Sequence, residues 1–379
     1  MRAEPQRREA SGLRRRPQTG DHRRVLWDLF ARRVDFHGDV GFAWRLAADL
    51  GAHGVDVRLW LDDRGDLAWM APGGAPRVTV AGWADASHVE PGDVVLETFG
   101  CGLPDDVLRR MAARTPSPPW IDVEYLSAEG YVERSHGLPS PHAKGPGAGL
   151  MQWYFYPGFT SATGGLLREH ELCDERRRFD RDAWWARVDP AGDRRPRPDE
   201  RAVSLFCYDN PALRRGLADL SRQPTVLYAT PGVAAEQVCA ELAGRDRLGD
   251  LRIVPLPRLV QADYDRLLWA CDLNFVRGED SFVRAQWAAA PFVWQAYPQH
   301  DGAHAQKLEA FLDRLLASAA APLATAVRGL FRGWNGLAPW PERWPEAGAW
   351  RAHVLQWREG LAAQTDLTTR LLAFAASKR

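Results

Sequence analysis

From residue 25 onward, short apolar runs alternate with segments that carry a helical pattern of apolar positions. In the first half of the chain, strands are predicted at 25–34, 55–61, 93–97 and 120–124, with a helix at 43–50. Strands separated by stretches of helical length are typical of βαβ units, in which the strands form a parallel sheet. This part of the chain is therefore predicted to be an α/β domain.

The same alternation begins again after residues 174–201, a charged and proline-containing segment that is predicted to be a linker. The second series of strands is predicted at 202–208, 225–229, 251–256, 273–276 and 292–295, and its helices at 213–221, 264–270 and 281–289. Residues beyond 304 carry a helical pattern that tryptophan-rich stretches interrupt. The chain is therefore predicted to be an α/β protein with two Rossmann-like domains.

This layout occurs in GT-B glycosyltransferases and also in some dehydrogenases and binding proteins, so the fold alone does not decide the function. No G-x-G-x-x-G follows the first strand, which argues against a nicotinamide enzyme. The net charge is zero, which disfavours dedicated nucleic-acid binding, and no apolar run is long enough to predict a membrane span. Five scattered cysteines without a Cys-x-x-Cys pair favour the reducing cytoplasm over a disulfide or zinc framework.

Residues 1–24 differ from the rest of the chain, because they contain eight arginines, three carboxylates and almost no apolar side chains. They lack the apolar core that a secretory signal requires. The segment is predicted to be a disordered basic extension, or to lie upstream of the true start of the protein.

The first candidate site follows the first predicted strand, where residues 34–41 read VDFHGDVG. Ligands of open α/β sheets bind outside the carboxyl ends of the strands. The carboxylates of Asp35 and Asp39 would supply a base, and Gly38 and Gly41 would let a ligand approach the backbone closely. The alternative is an ordinary polar turn in which Asp39 caps the next helix.

The second candidate site, at residues 274–284, runs from a strand through a tight loop into a helix. The free N–H groups at the start of a helix form an anion site, and Arg277 adds a fork of donors suited to a diphosphate. Glu279 can accept hydrogen bonds from sugar hydroxyls. The alternative is that Asp280 or Ser281 caps the helix while Arg277 and Glu279 form a surface pair.

A third strand end carries Phe206 and Tyr208, of which the first could pack against a base and the second could bind a phosphate oxygen. The alternative is a core aromatic followed by a turn, and residue preferences favour that alternative.

Two motifs that resemble metal sites are set aside, so no metal is expected. Asp263 and Asp265 form a D-x-D pair, but they lie on a predicted helix, where positions i and i+2 diverge. His300 and His304 have the spacing of helical ligands, but Gly302 lies between them and no third ligand is evident.

Around these residues the sequence resembles the EarP family of bacterial protein-arginine rhamnosyltransferases, which act on translation elongation factor P. The resemblance extends from residue 25 to about residue 310, and it is carried by blocks such as WIDVEYLSAEGYVERSHGLPSPH (120–142), YFYPGFTSATGGLLRE (154–169) and SLFCYDNPAL (204–213). DVVLETFGCGLP (93–104) and the long block at 263–299 belong to the same match. These blocks are far more specific than any short motif.

The resemblance implies an inverting GT-B enzyme that transfers L-rhamnose from dTDP-β-L-rhamnose to the guanidino nitrogen of one arginine of elongation factor P. It implies that the reaction needs no metal. No other cofactor and no membrane or nucleic-acid partner are expected, and the expected location is the cytoplasm. Asp35 and Asp39 fall on the family's essential aspartates, with Asp39 as the base, and Glu279 falls on its essential glutamate. The positions that fall on donor contacts are Phe206, Tyr208, Gln261, Arg277, Asp280 and Ser281.

The chain also departs from the family pattern. Phe36 and His37 stand where the family has Asn-Tyr, a change that could alter the fit of the acceptor. Arg258 stands where an aromatic residue lines the base pocket, although a guanidinium can also stack on a ring. His300 replaces an acidic residue.

Together these features predict four parts: the basic extension at 1–24, an acceptor-binding domain at 25–195, a nucleotide-sugar-binding domain at 200–360, and a helix at 361–379 that packs back on the N-terminal domain. Two other functions stay open. One is a GT-B glycosyltransferase with a small-molecule acceptor, and the other is a non-catalytic nucleotide-sugar sensor that binds elongation factor P. The three carboxylates argue against the sensor, because a sensor needs no base.

Overall fold

A computed structural model describes residues 25–34, 37–298 and 302–379 of the chain. Two β-sheets organise the described residues, each with helices packed around it. The prediction of two α/β halves is confirmed. Among the described helices, none combines the length and the apolar character that a membrane span needs.

The first sheet has the strand order β3-β2-β1-β4-β5-β7-β6 and is parallel except for β6. Its strands are β1 (Leu26–Ala31), β2 (Asp56–Leu61), β3 (Val78–Gly82), β4 (Val94–Thr98), β5 (Trp120–Val123), β6 (Pro139–Pro141) and β7 (Met151–Phe155). The helices of this half are α1 (Gly38–Ala52), α2 (Leu67–Met70), α3 (Trp83–Ala86), α4 (Asp105–Ala113), α5 (Gly130–Ser135), α6 (Leu172–Arg178) and α7 (Arg181–Val188).

The second sheet repeats the arrangement in the order β10-β11-β9-β8-β12-β13, with β10 antiparallel. Its strands are β8 (Arg201–Leu205), β9 (Thr225–Ala229), β10 (Arg247–Leu248), β11 (Leu251–Pro255), β12 (Leu273–Arg277) and β13 (Phe292–Gln295). The helices that follow β8 along the chain are α8 (Leu213–Leu220), α9 (Val233–Glu241), α10 (Gln261–Ala270), α11 (Asp280–Ala288), α12 (Ala303–Leu315), α13 (Ala321–Trp334), α14 (Ala347–Ala362) and α15 (Leu367–Ala376).

Both sheets have a point at which the strand order reverses, between β1 and β4 in the first sheet and between β8 and β12 in the second. Ligands of such folds bind in the crevice outside the carboxyl ends of the strands at these points. The loops after β1, β8 and β12 are the three segments that the sequence singled out as candidate sites.

The predicted linker at 174–201 requires a correction, because it contains most of α6 and all of α7. Among the charged residues of this segment are two tryptophans, Trp184 and Trp185, which are buried in one apolar cluster with Tyr228 of the second sheet. The prediction missed these helices because only a few apolar residues in the segment mark them, and their burial depends on a strand distant in sequence.

The chain crosses back to the first half at its C-terminal end. Leu367 and Leu371 of α15 are fully buried in the core that also contains α1, and the backbone N–H of Leu367 donates to the carbonyl of Leu166 at 2.9 Å. The last helix of the chain thus packs on the first domain, while α14 before it packs on α11 of the second.

Candidate active site

A solvent-open cleft with about 1000 Å³ of empty space lies between the two sheets. Its walls come from loops that follow β1, β2, β8, β9, β11 and β12, so both halves of the protein contribute. Of the predicted site residues, seven line this cleft: Gly38, Phe206, Gln261, Arg277, Glu279, Asp280 and Ser281.

Asp39 lies in the first turn of α1 and is 3% exposed. Its Oδ2 accepts a hydrogen bond from the backbone N–H of Val34 at 2.8 Å, which ties the loop after β1 to the helix. His37 occupies the N-cap position, so the alternative in which Asp39 caps the helix is wrong. Asp35, the other predicted aspartate, lies outside the described residues.

Glu279 links the two halves at the centre of the cleft. The positive φ of Gly278 turns the chain after β12, and Oε1 of Glu279 then accepts a 2.9 Å hydrogen bond from the backbone N–H of Leu126 in the first domain. Oε2 is buried and accepts no hydrogen bond from the described residues. Burial raises the pKa of Glu279 to about 7, a shift that Lys307 opposes and Asp39 reinforces.

Arg277 is held between two aromatic rings. The carbon at the centre of its guanidinium lies 4.4 Å from the ring centre of Phe206 and 4.3 Å from that of Tyr208. The Arg277 side chain is buried, so the alternative of a surface pair with Glu279 is wrong. Phe206 lines the cleft, whereas Tyr208 is buried and is not part of the cleft wall.

Ser281 and Gln261 stand at the first turns of two helices. Ser281 Oγ donates to the backbone carbonyl of Arg277, so the hydroxyl braces the loop that leads into α11. Gln261 Nε2 donates to the carbonyl of Gly41 at 3.1 Å, a hydrogen bond between the two domains. A Cβ on Gly41 would lie 3.0 Å from that nitrogen. The side chain that approaches the backbone of Gly41 closely is therefore Gln261 of the second domain.

Asp280 takes part in a buried ion network that joins the domains. Its Oδ1 lies 3.0 Å from Nε of Arg45, which also forms two 3.0 Å hydrogen bonds with Asp265. Arg284 contacts Asp265 at 2.7 Å and Glu169 at 2.6 Å. Burial alone would raise the pKa of Glu169, but the two guanidinium groups lower it to about 2. Glu169 is thus held in its charged form. Burial raises the pKa of Asp280 above its usual value, a shift that Arg45 and Arg284 oppose.

The two motifs that resemble metal sites have other partners. Asp265 belongs to the ion network on α10, whereas Asp263 contacts Trp184 and Arg187 of α7, so the two carboxylates serve different contacts. His304 lies on α12, and His300 lies outside the described residues. In the described part of the chain, no group of three or more histidine, cysteine or acidic side chains is arranged to hold a metal.

Sequence reasoning missed the contribution of α2 to the cleft. Trp69 and Met70 line the cleft, and Asp66 at the N-cap of α2 lies 2.8 Å from Nδ1 of His37. Across the cleft, the guanidinium of Arg258 lies 5.6 Å from the ring centre of Trp69. A four-residue helix is too short to show a periodic pattern of apolar positions, so the sequence marks α2 only by the spacing of Asp66 and Trp69.

The comparisons with known proteins all point to one family. The family model described as elongation factor P (EF-P) rhamnosyltransferase EarP matches residues 27–376. The chain belongs to the EarP family. Its relatives include protein-arginine rhamnosyltransferases of Pseudomonas aeruginosa and Pseudomonas putida, each 41% identical. The matches cover 92% and 93% of this chain and 98% of each relative.

A solved structure supports the same assignment. It is described as the structural basis for EarP-mediated arginine glycosylation of translation elongation factor EF-P, and it is 31% identical to this chain with a TM-score of 0.64. The match covers 94% of this chain and 100% of that structure. The predicted fold class is confirmed: the protein has the GT-B glycosyltransferase architecture.

Proposed function

We propose that this EarP-family protein transfers L-rhamnose from dTDP-β-L-rhamnose to a guanidino nitrogen of one arginine in translation elongation factor P, and thereby activates the factor. The observation that carries the proposal is a GT-B cleft that brings Glu279 of the second domain within hydrogen-bonding distance of the first, next to the buried Asp39. The names of two relatives, both protein-arginine rhamnosyltransferases, support an arginine of a protein as the acceptor. The description of a solved structure supports elongation factor P as that protein.

The acceptor nitrogen belongs to a guanidinium with a pKa of about 13.8, whereas an aspartate has a pKa of about 3.9. Moving the proton to an aspartate before the reaction would cost on the order of 13 kcal/mol. In the proposed mechanism, Asp39 binds the guanidinium and turns one nitrogen towards the anomeric carbon. It accepts the proton only as the C–N bond forms, so positioning and electrostatics supply much of the acceleration.

The bond between the anomeric carbon and the diphosphate breaks as the C–N bond forms on the opposite face, which inverts the configuration. The leaving group, dTDP, carries away the electron pair and gains negative charge. Arg277 and the free N–H groups at the start of α11 stabilise that charge in the proposal. Glu279 accepts hydrogen bonds from the sugar hydroxyls, and Asp35 assists Asp39.

The remaining donor contacts in the proposal are Gly38, Phe206, Gln261, Asp280 and Ser281, all of which line the cleft. Gly41 and Tyr208, which the sequence also predicted as donor contacts, have roles behind these residues in the proposal: Gln261 approaches Gly41, and Tyr208 supports the guanidinium of Arg277. The proposed reaction needs no metal or other cofactor, because the carboxylates and donors of the chain carry each step. Since the proposed acceptor is a translation factor, the reaction belongs in the cytoplasm. Its partners are elongation factor P and dTDP-L-rhamnose.

The test is to incubate the purified protein with dTDP-L-rhamnose and elongation factor P from the same organism, and to measure the intact mass of the factor. We expect the mass of one deoxyhexose to be added. A parallel reaction with UDP-glucose serves as the control for the donor and is expected to leave the factor unmodified. An unmodified factor in the first reaction, with the protein folded and binding dTDP, would contradict the proposal.

A further inference from the structure

Lys307 extends from α12 of the second domain towards the first domain. Its Nζ lies 5.5 Å from the ring centre of Tyr125, within the range of a cation–π contact. The side chain is partly buried, and it forms no ion pair with a carboxylate of the described residues. The contact with Tyr125 therefore brings a positive charge to the boundary between the domains without neutralising it.

The segment that Lys307 approaches also receives Glu279. Tyr125 follows β5, and its ring stacks on Phe99 with the ring centres 4.0 Å apart and the planes 6° apart. The next residue, Leu126, is buried and donates its backbone N–H to Oε1 of Glu279 at 2.9 Å. Two neighbouring residues of the first domain thus contact the Lys307 and Glu279 side chains of the second.

The titratable groups that face Glu279 come from several elements. Burial raises the pKa of Glu279 to about 7, and Asp39 on α1 and Asp280 on α11 add to that shift. Tyr131 on α5 also faces the carboxylate, because burial and three carboxylates, Glu279 among them, raise the pKa of that tyrosine. Lys307 on α12 is the strongest influence that lowers the pKa of Glu279.

The charge of Glu279 decides which groups it can bind. An ionised carboxylate accepts hydrogen bonds on both oxygens, whereas a protonated one donates from one of them. Oε1 already accepts from Leu126, and Oε2 is buried without a hydrogen-bond partner among the described residues. A hydroxyl that donates to Oε2 while Oε1 keeps its bond therefore requires the ionised form.

We infer that Lys307 is a positioning residue that acts through Glu279, because its ammonium group at the Tyr125 ring supplies the positive charge that prepares the glutamate to accept a hydroxyl of the donor sugar. The inference rests on the proposed function for the presence of a sugar beside Glu279. It gives α12 a part in sugar binding, although Lys307 is not among the residues that line the cleft.

The direct test compares the affinities for dTDP-L-rhamnose and for dTDP by titration calorimetry, in the wild-type protein and in Lys307→Met. Losing the charge should raise the pKa of Glu279 by about one pH unit. We therefore expect the affinity for dTDP-L-rhamnose to fall about fivefold at pH 7, where less of the carboxylate is then ionised. At pH 9 the loss should be less than about twofold, because Glu279 is ionised in both proteins.

The affinity for dTDP alone should not change, because Glu279 contacts only the sugar in this account. Equal weakening for dTDP and dTDP-L-rhamnose would show that Lys307 acts on the nucleotide, and it would overturn the inference. A loss of affinity for dTDP-L-rhamnose that is the same at pH 7 and pH 9 would also overturn it.

Two further variants separate the charge of Lys307 from its shape. Lys307→Arg retains the charge, so the dependence of its affinity on pH should match that of the wild-type protein. In a Glu279→Gln background, Lys307→Met should have no further effect, because the group through which it acts is gone. An equal loss in the two backgrounds would contradict the inference. Lys378→Met, which removes a cation 3.7 Å from the Trp153 ring, is the matched control and should change neither affinity.

The pairing of charges can also be tested without a donor. Urea unfolding at pH 8 should show a larger gain from Glu279→Gln in the Lys307→Met background than in the wild-type protein, because Lys307 offsets part of the cost of the buried charge. A protein that shows this difference but does not bind dTDP-L-rhamnose would contradict the proposed function. A protein that binds the donor but shows no difference would overturn this inference alone.

Discussion

The carboxyl group of Glu279 illustrates how a single side chain of this site combines function with a cost in stability. One oxygen accepts a hydrogen bond from the first domain, while the other is buried without a hydrogen-bond partner among the described residues. Burial raises the pKa to about 7, so at neutral pH the ionised form is present only at an energetic cost. A ligand with hydroxyl donors would relieve that cost on binding.

The same shift predicts how stability depends on pH. The folded protein holds this proton more tightly than the unfolded chain does. Glu279 therefore does not lower the free energy of unfolding below a pH of about 4.5, and it lowers it progressively more as the pH rises to about 7. Glu279→Gln should therefore stabilise the protein at pH 8, by on the order of 2 kcal/mol after allowing for partial exposure, while reducing rhamnose transfer.

Urea unfolding at pH 8 and at pH 5 checks this prediction. The gain in the free energy of unfolding should be clearly smaller at pH 5, where little of the cost is present. Glu359→Gln, a substitution at an exposed position of α14, is the control and should change neither value. An equal gain from Glu279→Gln at both pH values would contradict the pKa assignment.

Sequence reasoning at the residue scale identified the loops but not every contact in them. The sequence predicted Asp39, Arg277 and Glu279, because charged and glycine-containing loops at the ends of strands can be recognised from the sequence alone. The sandwich of Arg277 between Phe206 and Tyr208 was not, because it depends on two adjacent strands bringing their ends together. Asp35 stays a prediction.

At the scale of elements, the loop from β12 into α11 does most to shape the donor side of the cleft. Arg277, Glu279, Asp280 and Ser281 all lie within five residues, between the last residue of the strand and the first turn of the helix. The free N–H groups of that turn and the guanidinium present positive charge to the same space. This concentration of donors is what a departing diphosphate requires.

Arg277→Lys tests this element. Lysine keeps the charge but loses the planar fork that lies between the two rings, so we expect the affinity for dTDP to fall about 10-fold. Calorimetric titration with dTDP measures the effect, and Arg214→Lys, at an exposed arginine of α8, is the matched control. Unchanged affinity in Arg277→Lys would show that the fork does not contact the diphosphate.

The central parallel strands were predicted within a few residues because each is a short apolar run that is buried in the sheet. The edge strands and β7 were missed. β7 is parallel to β5 inside the first sheet but is only partly buried. β3 is only half-buried, and β6 and β10 are short antiparallel strands of three and two residues. Such strands exist because a neighbouring strand supplies hydrogen bonds, and local sequence carries little trace of that.

At the scale of the whole molecule, the ion network of Arg45, Glu169, Asp265, Asp280 and Arg284 connects the two domains beside the cleft. No sequence motif predicted it, because Arg45 is separated from Glu169 by 124 residues and from Asp265 by 220 residues. The return of α15 to the first domain was predicted, and the structure places that helix against α1. The exact domain boundaries stay a prediction.

Arg45→Met tests the contribution of the network to stability. Removing this cation leaves the buried Asp265 and the partly buried Glu169 and Asp280 without one of their two guanidinium partners, so we expect the free energy of unfolding to fall by about 3–5 kcal/mol. Arg77→Met removes one partner of an exposed pair with Asp56 and should cost at most about 1 kcal/mol. Equal losses in the two variants would contradict the assignment of the network as a buried interdomain contact.

The most direct test of the whole account compares wild-type protein with Asp39→Asn in rhamnose transfer to elongation factor P, with the modified residue located by peptide mass mapping. The account predicts one deoxyhexose on a single arginine with the wild-type protein. It also predicts a rate about 100- to 10,000-fold lower for Asp39→Asn, with dTDP affinity and folding retained. Near-normal transfer by a folded Asp39→Asn, or sugar on a residue other than arginine, would contradict it.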